Sequence, residues 1–297
     1  MTSVEHVSTA PADRSRLAAQ GAVLVTVMLW ASAFVGIRSA GHHFSPGALA
    51  LGRLFIGSVA LTAVALVRRE GLPARRDLPG IALCGVLWFA LYSVLLNDAE
   101  RHVDAGTASM LVNTGPILIA ILAGVILGEG FPRKLVLGCV VAFGGAVVIG
   151  AATSKHGIAP SWGAVLCLIA AAAYSFGVVI QKPLLARVSP LQMTWLACTA
   201  GMIVCLPFAG SLVHDTGHAP ASSLGWIVYL GVGPFAIGFI TWAYALARTT
   251  AGRMGATTYL VPPIAILLGW LVLSETPPVL AVAGGALCLI GVAIARR

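Results

Sequence analysis

A few polar side chains interrupt the long apolar runs of this sequence, and they are the residues that could do chemistry. Arg53 stands well inside the apolar run 46–67. Its planar guanidinium presents a fork of donors that matches a carboxylate. A charge at the centre of a membrane segment costs about 2.5–3.5 kcal/mol on insertion scales, so it needs a partner. Arg53 either anchors the carboxylate of a bound molecule or bonds helix-end carbonyls and lipid headgroups.

A second polar position occurs twice, each time three residues before a proline. Asn113 precedes Pro116, and Tyr259 precedes Pro262. Such a polar side chain inside an apolar segment either bonds a neighbouring helix or holds a polar group of a bound molecule. Each proline removes a backbone donor and crowds the preceding turn, which predicts a kink. The two kinks either serve packing alone or act as hinges beside a cavity.

The same two apolar segments end in a carboxylate at matching positions. Glu129 follows Pro116 in a P-x(12)-E pattern, and Glu275 follows Pro262 in the same pattern. Each glutamate is either a helix-end residue that pairs with a nearby base or backbone donor, or a site of proton coupling. The sequence leaves both readings open.

Aromatic side chains recur at spacings that place them on one face of a helix. They either pack against helices and lipid or form the wall of a cavity suited to an apolar or aromatic molecule, with one polar handle on each Tyr and Trp. The residues are Trp88 and Tyr92 in one run, Phe235, Phe239 and Trp242 in another, and Trp30 and Tyr174 at corresponding places in two further runs. Phe235 apart, all are candidates for contact with a substrate.

The composition places these residues in a membrane. The chain of 297 residues is 59% hydrophobic and only 9% charged, whereas soluble domains are about 45–50% apolar and about 25% charged. The fold class is therefore an all-α integral membrane protein. The net charge of +8 comes from scattered residues, which argues against nucleic acid as a partner.

Several classes of site are not expected. The six cysteines lie in apolar runs without a C-x-x-C, and most histidines lie in predicted outer loops without an H-x-x-x-H pair on a helix, so we expect no metal site. Paired intramembrane aspartates, H-E-x-x-H and G-x-S-x-G are lacking, so we expect no enzyme and no cofactor. No nucleotide-binding loop is found in the sequence.

The elements that must position the candidate residues are membrane helices of about 20 residues each. Ten candidate spans can be cut from the chain, with Gly and Pro in the turns between them. They cover roughly 18–39, 46–67, 79–97, 105–127, 132–151, 161–181, 190–212, 222–246, 252–273 and 278–295.

The loop charges predict the orientation. With both termini in the cytoplasm, including the tail 1–17, fourteen Lys and Arg residues fall inside and three outside. Positive residues concentrate on the cytoplasmic side of membrane proteins, so this orientation is favoured.

The two halves of the chain, 18–151 and 161–297, repeat one pattern, with a shift of 144 residues early in each half and of 146 residues later. Pro116 and Glu129 correspond to Pro262 and Glu275, and several glycines correspond as well. Five spans per half place the halves in opposite orientations, and the loops exchange their charge bias as that requires: "RREGLPARRD" is basic, and its counterpart "HDTGHAP" has no Lys or Arg. The pattern predicts two inverted-topology five-helix repeats around a central cavity.

These motifs resemble a known family. "LWASAFVGIR" opens the first half, "ALGRLFIG" carries Arg53, and P-x(12)-E closes the fourth and ninth predicted spans. Together they look like the drug/metabolite transporter superfamily and, within it, the EamA family, with two repeats over roughly 18–296. The resemblance implies ten helices around a cavity and efflux of amino acids, other metabolites or drugs. One departure is Ala197, which stands where the second half would place its counterpart of Arg53.

The sequence thus predicts a secondary active transporter in a bacterial-type cytoplasmic (inner) membrane. We expect an exporter of amino acids or related small metabolites that works by alternating access, with a small-molecule substrate, the lipid bilayer and a proton gradient as its partners. We expect it to act as a monomer. The alternatives are a multidrug exporter and, less favoured, a polytopic membrane enzyme or a channel.

Overall fold

Helices make up all the regular structure in the computed structural model, which describes residues 10–99, 101–102, 111–153, 162–273 and 278–296. We number the helices in chain order. They are α1 Ala10–Gly41, α2 Pro46–Val67, α3 Leu78–Ala99, α4 Gly115–Ile126, α5 Arg133–Thr153, α6 Trp162–Leu184, α7 Pro190–His218, α8 Ala221–Leu246, α9 Ala251–Thr257, α10 Val261–Leu273 and α11 Val279–Ala295.

Seven of the described helices are long and apolar enough to cross a bilayer, namely α1 from Leu17 onward, α2, α3, α5, α6, α7 and α8. Two shorter apolar helices are α4 and α11. Many Leu, Val and Ile side chains on these helices are exposed, as expected of surfaces that face lipid tails. The chain is therefore a multi-pass, all-helical membrane protein. Its division into ten spans stays a prediction.

The predicted proline kinks take the form of breaks at helix starts. Residues 111 and 112 are helical, 113 and 114 form a turn, and α4 begins at Gly115 with Pro116 in its first turn. Likewise a 3₁₀ turn, Thr258–Leu260, separates α9 from α10, and Pro262 lies in the first turn of α10. A proline fits there because the first backbone N–H groups of a helix have no intrahelical partner. The hinge role of both prolines stays a prediction.

Helices α3 and α8 each contain a π-helical segment, and the two segments start 146 residues apart. They are Gly85–Leu91 and Gly231–Gly238. Both starting glycines touch backbone of a neighbouring helix: an added Cβ on Gly85 would collide with the Ala197 carbonyl, and one on Gly231 would come within 2.9 Å of the Arg53 carbonyl. π segments often mark functional sites in helices. Both border the central cavity.

Helices α5 and α11 pack through glycines that correspond in the two halves. Gly138 lies against Gly291 and Gly145 against Gly284, so the helices run antiparallel. An added Cβ on Gly145 would lie 2.5 Å from the Gly284 carbonyl oxygen, and one on Gly284 would lie 2.7 Å from that of Gly145. Small residues allow this close approach, which lets van der Waals contact hold membrane helices together.

Gly145→Ala should therefore destabilise the protein, and Gly144→Ala should not. An added Cβ on Gly144 meets no atom within 4 Å, so the two variants add the same methyl group to adjacent positions of one helix. Overpacking a tight contact costs typically about 1–3 kcal/mol. Thermal unfolding of the purified variants in one detergent measures the difference. Equal thermal midpoints for the two variants would contradict the close packing of α5 on α11.

Candidate functional site

A central cavity of about 140 Å³ lies where the two π segments meet the two helix breaks. Its described lining comes from α1, α2, α3, α6, α8, the turn before α4 and the junction between α9 and α10. Most of the lining is aromatic or aliphatic. The cavity therefore draws residues from both halves of the chain, as a shared substrate site would require.

Aromatic rings form one wall of the cavity. The Phe239 ring centroid lies 5.2 Å from that of Trp30 and 4.9 Å from that of Trp88. Tyr92 and Tyr174 continue the wall, with their ring centroids 5.4 Å apart. Tilted and edge-to-face pairs at these distances are favourable beyond simple burial. The five predicted aromatic residues named here all line the cavity.

The backbone of α8 holds the Trp30 ring in place. Its indole Nε1 donates to the Pro234 carbonyl at 3.3 Å. Pro234 lies within the π segment of α8, where the backbone hydrogen bonds differ from those of an α-helix. The π segment thus supplies the acceptor that fixes the Trp30 ring at the cavity.

Arg53 is the only charged side chain in the lining that the structure describes. It is buried, with 6% of its surface exposed. Its guanidinium carbon lies 4.7 Å from the centroid of the Phe235 ring, a cation–π distance. Asp and Glu do not occur in the described lining. The cavity is therefore cationic and apolar, a combination that favours an anionic group attached to an apolar body.

Two predicted site residues lie behind the cavity wall instead of facing the cavity. Trp242 stacks on Trp30 with ring centroids 5.0 Å apart, and its Nε1 donates to Gln181 Oε1 at 3.1 Å. Tyr259 is fully buried, and its hydroxyl donates to the Asn113 carbonyl at 3.0 Å. Neither side chain is part of the described lining, whereas Asn113 is. The packing of α1 on α8 and of the two breaks on each other buries these rings.

Ser93 is a cavity residue that the sequence analysis did not identify. Its side chain is buried in the lining, and its Oγ has no hydrogen-bond partner among the described residues. Buried hydroxyls are normally bonded, so this one is available to a ligand. Its position next to Tyr92 was the only signal in the sequence, because single serines are common in membrane helices.

Glu129 caps the N-terminus of α9. Its Oε1 accepts from the backbone N–H of Ala251 at 2.7 Å, and its Oε2 from that of Gly252 at 3.0 Å. Gly128 and Gly130, both with φ +67°, flank it in the left-handed region that glycine adopts without strain. These contacts correspond to the first of the two roles considered for Glu129, a helix-end residue that pairs with backbone donors. Glu275 lies outside the described residues.

Lys182 of α6 lies at the turn between α8 and α9. Its Nζ donates to the carbonyls of Leu246 and Thr249 at 2.8 and 2.6 Å, and so caps the C-terminal end of α8. A negative side chain at the start of a helix and a positive side chain at its end both interact favourably with the helix dipole. Glu129 and Lys182 together fix the turn between α8 and α9.

No group of three or more His, Cys, Asp or Glu residues within the described ranges could hold a metal ion. One expectation about histidines is wrong: His214 and His218 form an H-x-x-x-H pair at the end of α7, with ring centroids 4.6 Å apart. The helix runs further than the predicted span 190–212, which brings the pair onto one face. His218 Nδ1 bonds the His214 carbonyl at 2.8 Å.

Comparison with models of protein families identifies the family of this chain. The model described as "EamA-like transporter family" matches residues 18–151 and 161–297. The chain belongs to the EamA-like transporter family. This EamA protein is accordingly a membrane transporter and not an enzyme, as predicted.

Named relatives agree with the family. The chain is similar to a "Probable terminal-alkyne amino-acid exporter" of Streptantibioticus cattleyicolor, with 40% identity over 93% of this chain and 92% of the relative. It is also similar to the "Uncharacterized transporter YdfC" of Bacillus subtilis, with 34% identity over 89% and 86%. A third relative, the "Uncharacterized inner membrane transporter YedA" of Escherichia coli, is 24% identical over 84% and 81%.

The fold is similar to that of a protein solved by crystallography. The two structures align with a TM-score of 0.76 and 23% sequence identity, over 94% of this chain and 99% of the other chain. At this identity the likeness concerns the fold alone.

Glu129→Ala should loosen the start of α9, since it leaves two backbone N–H groups without their acceptors. Loss of a helix cap costs about 0.5–2 kcal/mol. Hydrogen exchange at the amides of Ala251 and Gly252 should become faster than in the wild type. Glu129→Gln is the matched control, because its single amide oxygen can still accept one of the two bonds and should give an intermediate effect. Unchanged exchange in both variants would contradict the cap.

Proposed function

We propose that this transporter exports amino acids or related small metabolites by alternating access, and that the cavity at Arg53 is the substrate site. The observation that carries the proposal is a buried arginine, the one charged side chain in the described lining of a mostly apolar, aromatic-walled cavity. A guanidinium and a carboxylate form a charge-assisted pair that is strong where water is scarce. An amino acid brings that carboxylate and a side chain for the aromatic wall.

The polar lining suits the rest of an amino acid. The Ser93 hydroxyl and the Asn113 side chain line the same cavity as Arg53. Both can accept a hydrogen bond from an ammonium group. The rings of Trp30, Trp88 and Phe239 would then contact the apolar side chain of the substrate. The relative named as a probable exporter of terminal-alkyne amino acids, at 40% identity, supports an amino acid with an apolar side chain.

A multidrug exporter is the alternative. Many such drugs are cations, and the described lining offers no acidic side chain to pair with one. The cavity chemistry therefore favours the amino acid.

Corresponding segments of the two halves support an inverted repeat with ten spans. Asn113 and Tyr259 are 146 residues apart and bond to each other. Ala142 and Cys288, also 146 apart, form a weak contact from Cys288 Sγ to the Ala142 carbonyl at 3.4 Å. Residues that correspond in two repeats meet each other only near the symmetry axis. The antiparallel packing of α5 on α11 is what inverted halves require.

We place the cavity open to the outer side, with both termini in the cytoplasm. The lining uses the later parts of α1 and α3, from Trp30 and Trp88 onward, which point outward in that orientation. On the inner side α1 is fastened to α8: Thr26 Oγ1 lies 2.8 Å from Thr241 Oγ1, and Trp242 stacks on Trp30. Alternating access would separate these pairs, with the breaks at Pro116 and Pro262 as hinges. We expect one monomer to suffice.

Arg53→Gln should reduce amino-acid flux by about tenfold or more, since a charge-assisted hydrogen bond is worth about 1.5–3 kcal/mol. Arg53→Lys should fold and still transport poorly, because it keeps the charge and loses the bidentate fork. Uptake of labelled amino acids into proteoliposomes, against unlabelled competitors that include cationic drugs, measures both. Arg75→Gln, in the exposed loop before α3, is the charge-matched control. Normal flux with Arg53→Gln would refute the assignment, and competition by cationic drugs alone would favour the multidrug alternative.

Proton coupling is proposed as the energy source. If protons drive transport through another group, Glu129→Gln should keep the dependence of flux on an imposed pH gradient, because both carboxylate oxygens already serve as a helix cap. The measurement is flux into proteoliposomes with and without the gradient, compared with the wild type. Loss of the gradient dependence in Glu129→Gln would assign the coupling to this glutamate.

A further inference from the structure

A second cavity, of about 200 Å³, lies at the end of the molecule where α1 begins and α8 and α11 end. Three arginines line it: Arg248 from the turn after α8, Arg253 from α9, and Arg296 at the end of α11. Asp and Glu do not occur in its described lining. Three exposed arginines from three separate elements thus line one recess, and an anion bound among them would offset their mutual repulsion.

The position of Arg248 is fixed by its own helix. Its guanidinium carbon lies 3.5 Å from the centroid of the Tyr244 ring, and its NH1 donates to the Tyr244 carbonyl at 2.9 Å. A guanidinium carries five N–H donors, so this bond leaves others for a ligand. Thr249 and Gln20 add polar groups to the same lining. The cavity is thus a polar, cationic recess with one of its arginines held in place.

The recess also has apolar lining. Ala19 and Val23 of α1 belong to it, together with Ala245 and Met254. On the same helix Leu17 and Leu24 are exposed, at 62% and 61% of their surface, on a segment long and apolar enough to lie in lipid. The recess therefore sits at the level where membrane helices leave the hydrocarbon, beside surface that acyl chains can cover. A headgroup with attached acyl chains fits both parts; a soluble anion fits only the first.

We propose that this arginine recess binds the phosphodiester headgroup of an anionic glycerophospholipid. Arginine forks match phosphate oxygens in pairs, and basic pockets between membrane helices bind anionic headgroups. The bound lipid would join α9 and α11 of the second half to the start of α1. Since α9 leads directly into the break at Tyr259, lipid occupancy would also stabilise that break. This site is distinct from the central cavity and does not depend on which substrate is carried.

Native mass spectrometry of the full-length protein tests the proposal. Protein purified in detergent is mixed with equal amounts of phosphatidylglycerol and phosphatidylcholine, and the lipid adducts are counted. The wild type should retain phosphatidylglycerol preferentially. The variant R248Q/R253Q/R296Q should lower that preference by about tenfold or more, because it removes all three basic side chains of the recess. The control R68Q/R75Q/R133Q removes three exposed arginines elsewhere and should keep it.

Each other outcome overturns the proposal. An equal loss in the control variant would mean that overall charge attracts the lipid, and an unchanged preference in the recess variant would mean that the lipid binds elsewhere. Inorganic phosphate that raises the thermal midpoint of the wild type as much as phosphatidylglycerol does would identify a site for a soluble anion. A fall in amino-acid flux of the recess variant in pure phosphatidylcholine would make the recess the inner mouth of the transport path. The single variant R296Q checks these results if the triple variant unfolds.

Discussion

The hydrogen bond from the Tyr259 hydroxyl to the Asn113 carbonyl joins the two places where the helices are broken. In lipid no water is present to satisfy a freed carbonyl, so a broken helix survives only where protein supplies the partner. Here the second half supplies it to the first. The packing around this contact is tight: Gly115 must lack a side chain because Tyr174 occupies that space, and Tyr259 is buried against α5 and α11.

Segments distant in the sequence also supply hydrogen-bond partners to helix ends. Glu129 caps the start of α9, and Lys182 closes the end of α8. At the start of α2, Asp215 accepts from the backbone N–H of Ser45 at 2.8 Å. Each of these charged side chains bonds backbone groups that have no partner within their own helix. Charged residues at helix ends can thus be structural without being part of transport.

Charge that faces a cavity is used differently. Arg53 places a single cation in the central cavity, against the ring of Phe235. The second cavity gathers three arginines beside an apolar face of α1. The first combination suits a small molecule with one carboxylate, and the second suits a phosphate tethered to acyl chains. The number of charges and the surface beside them distinguish the two ligands.

Much of this protein could be predicted from its sequence. The apolar composition determined the membrane class, since 9% charged residues cannot cover a soluble surface. The helix bounds of α2 match the predicted 46–67, because Ser-Pro starts and the Arg-rich loop ends that run. Type, spacing and depth in the apolar runs predict Arg53, Asn113 and five aromatic residues as site residues, and the structure brings them to one cavity. The matching P-x(12)-E patterns mark corresponding positions of the two halves.

Only the tertiary structure decided which of those side chains face the cavity. Trp242 and Tyr259 looked equivalent to their neighbours, yet the first lies behind Trp30 and the second spans the two breaks. The two π segments carried no signal in the sequence, and Ser93 had only its position next to Tyr92. Composition and spacing determine the environment of a helix and the residues that share its face. The direction of that face depends on contacts with segments more than a hundred residues away, which a local pattern does not contain.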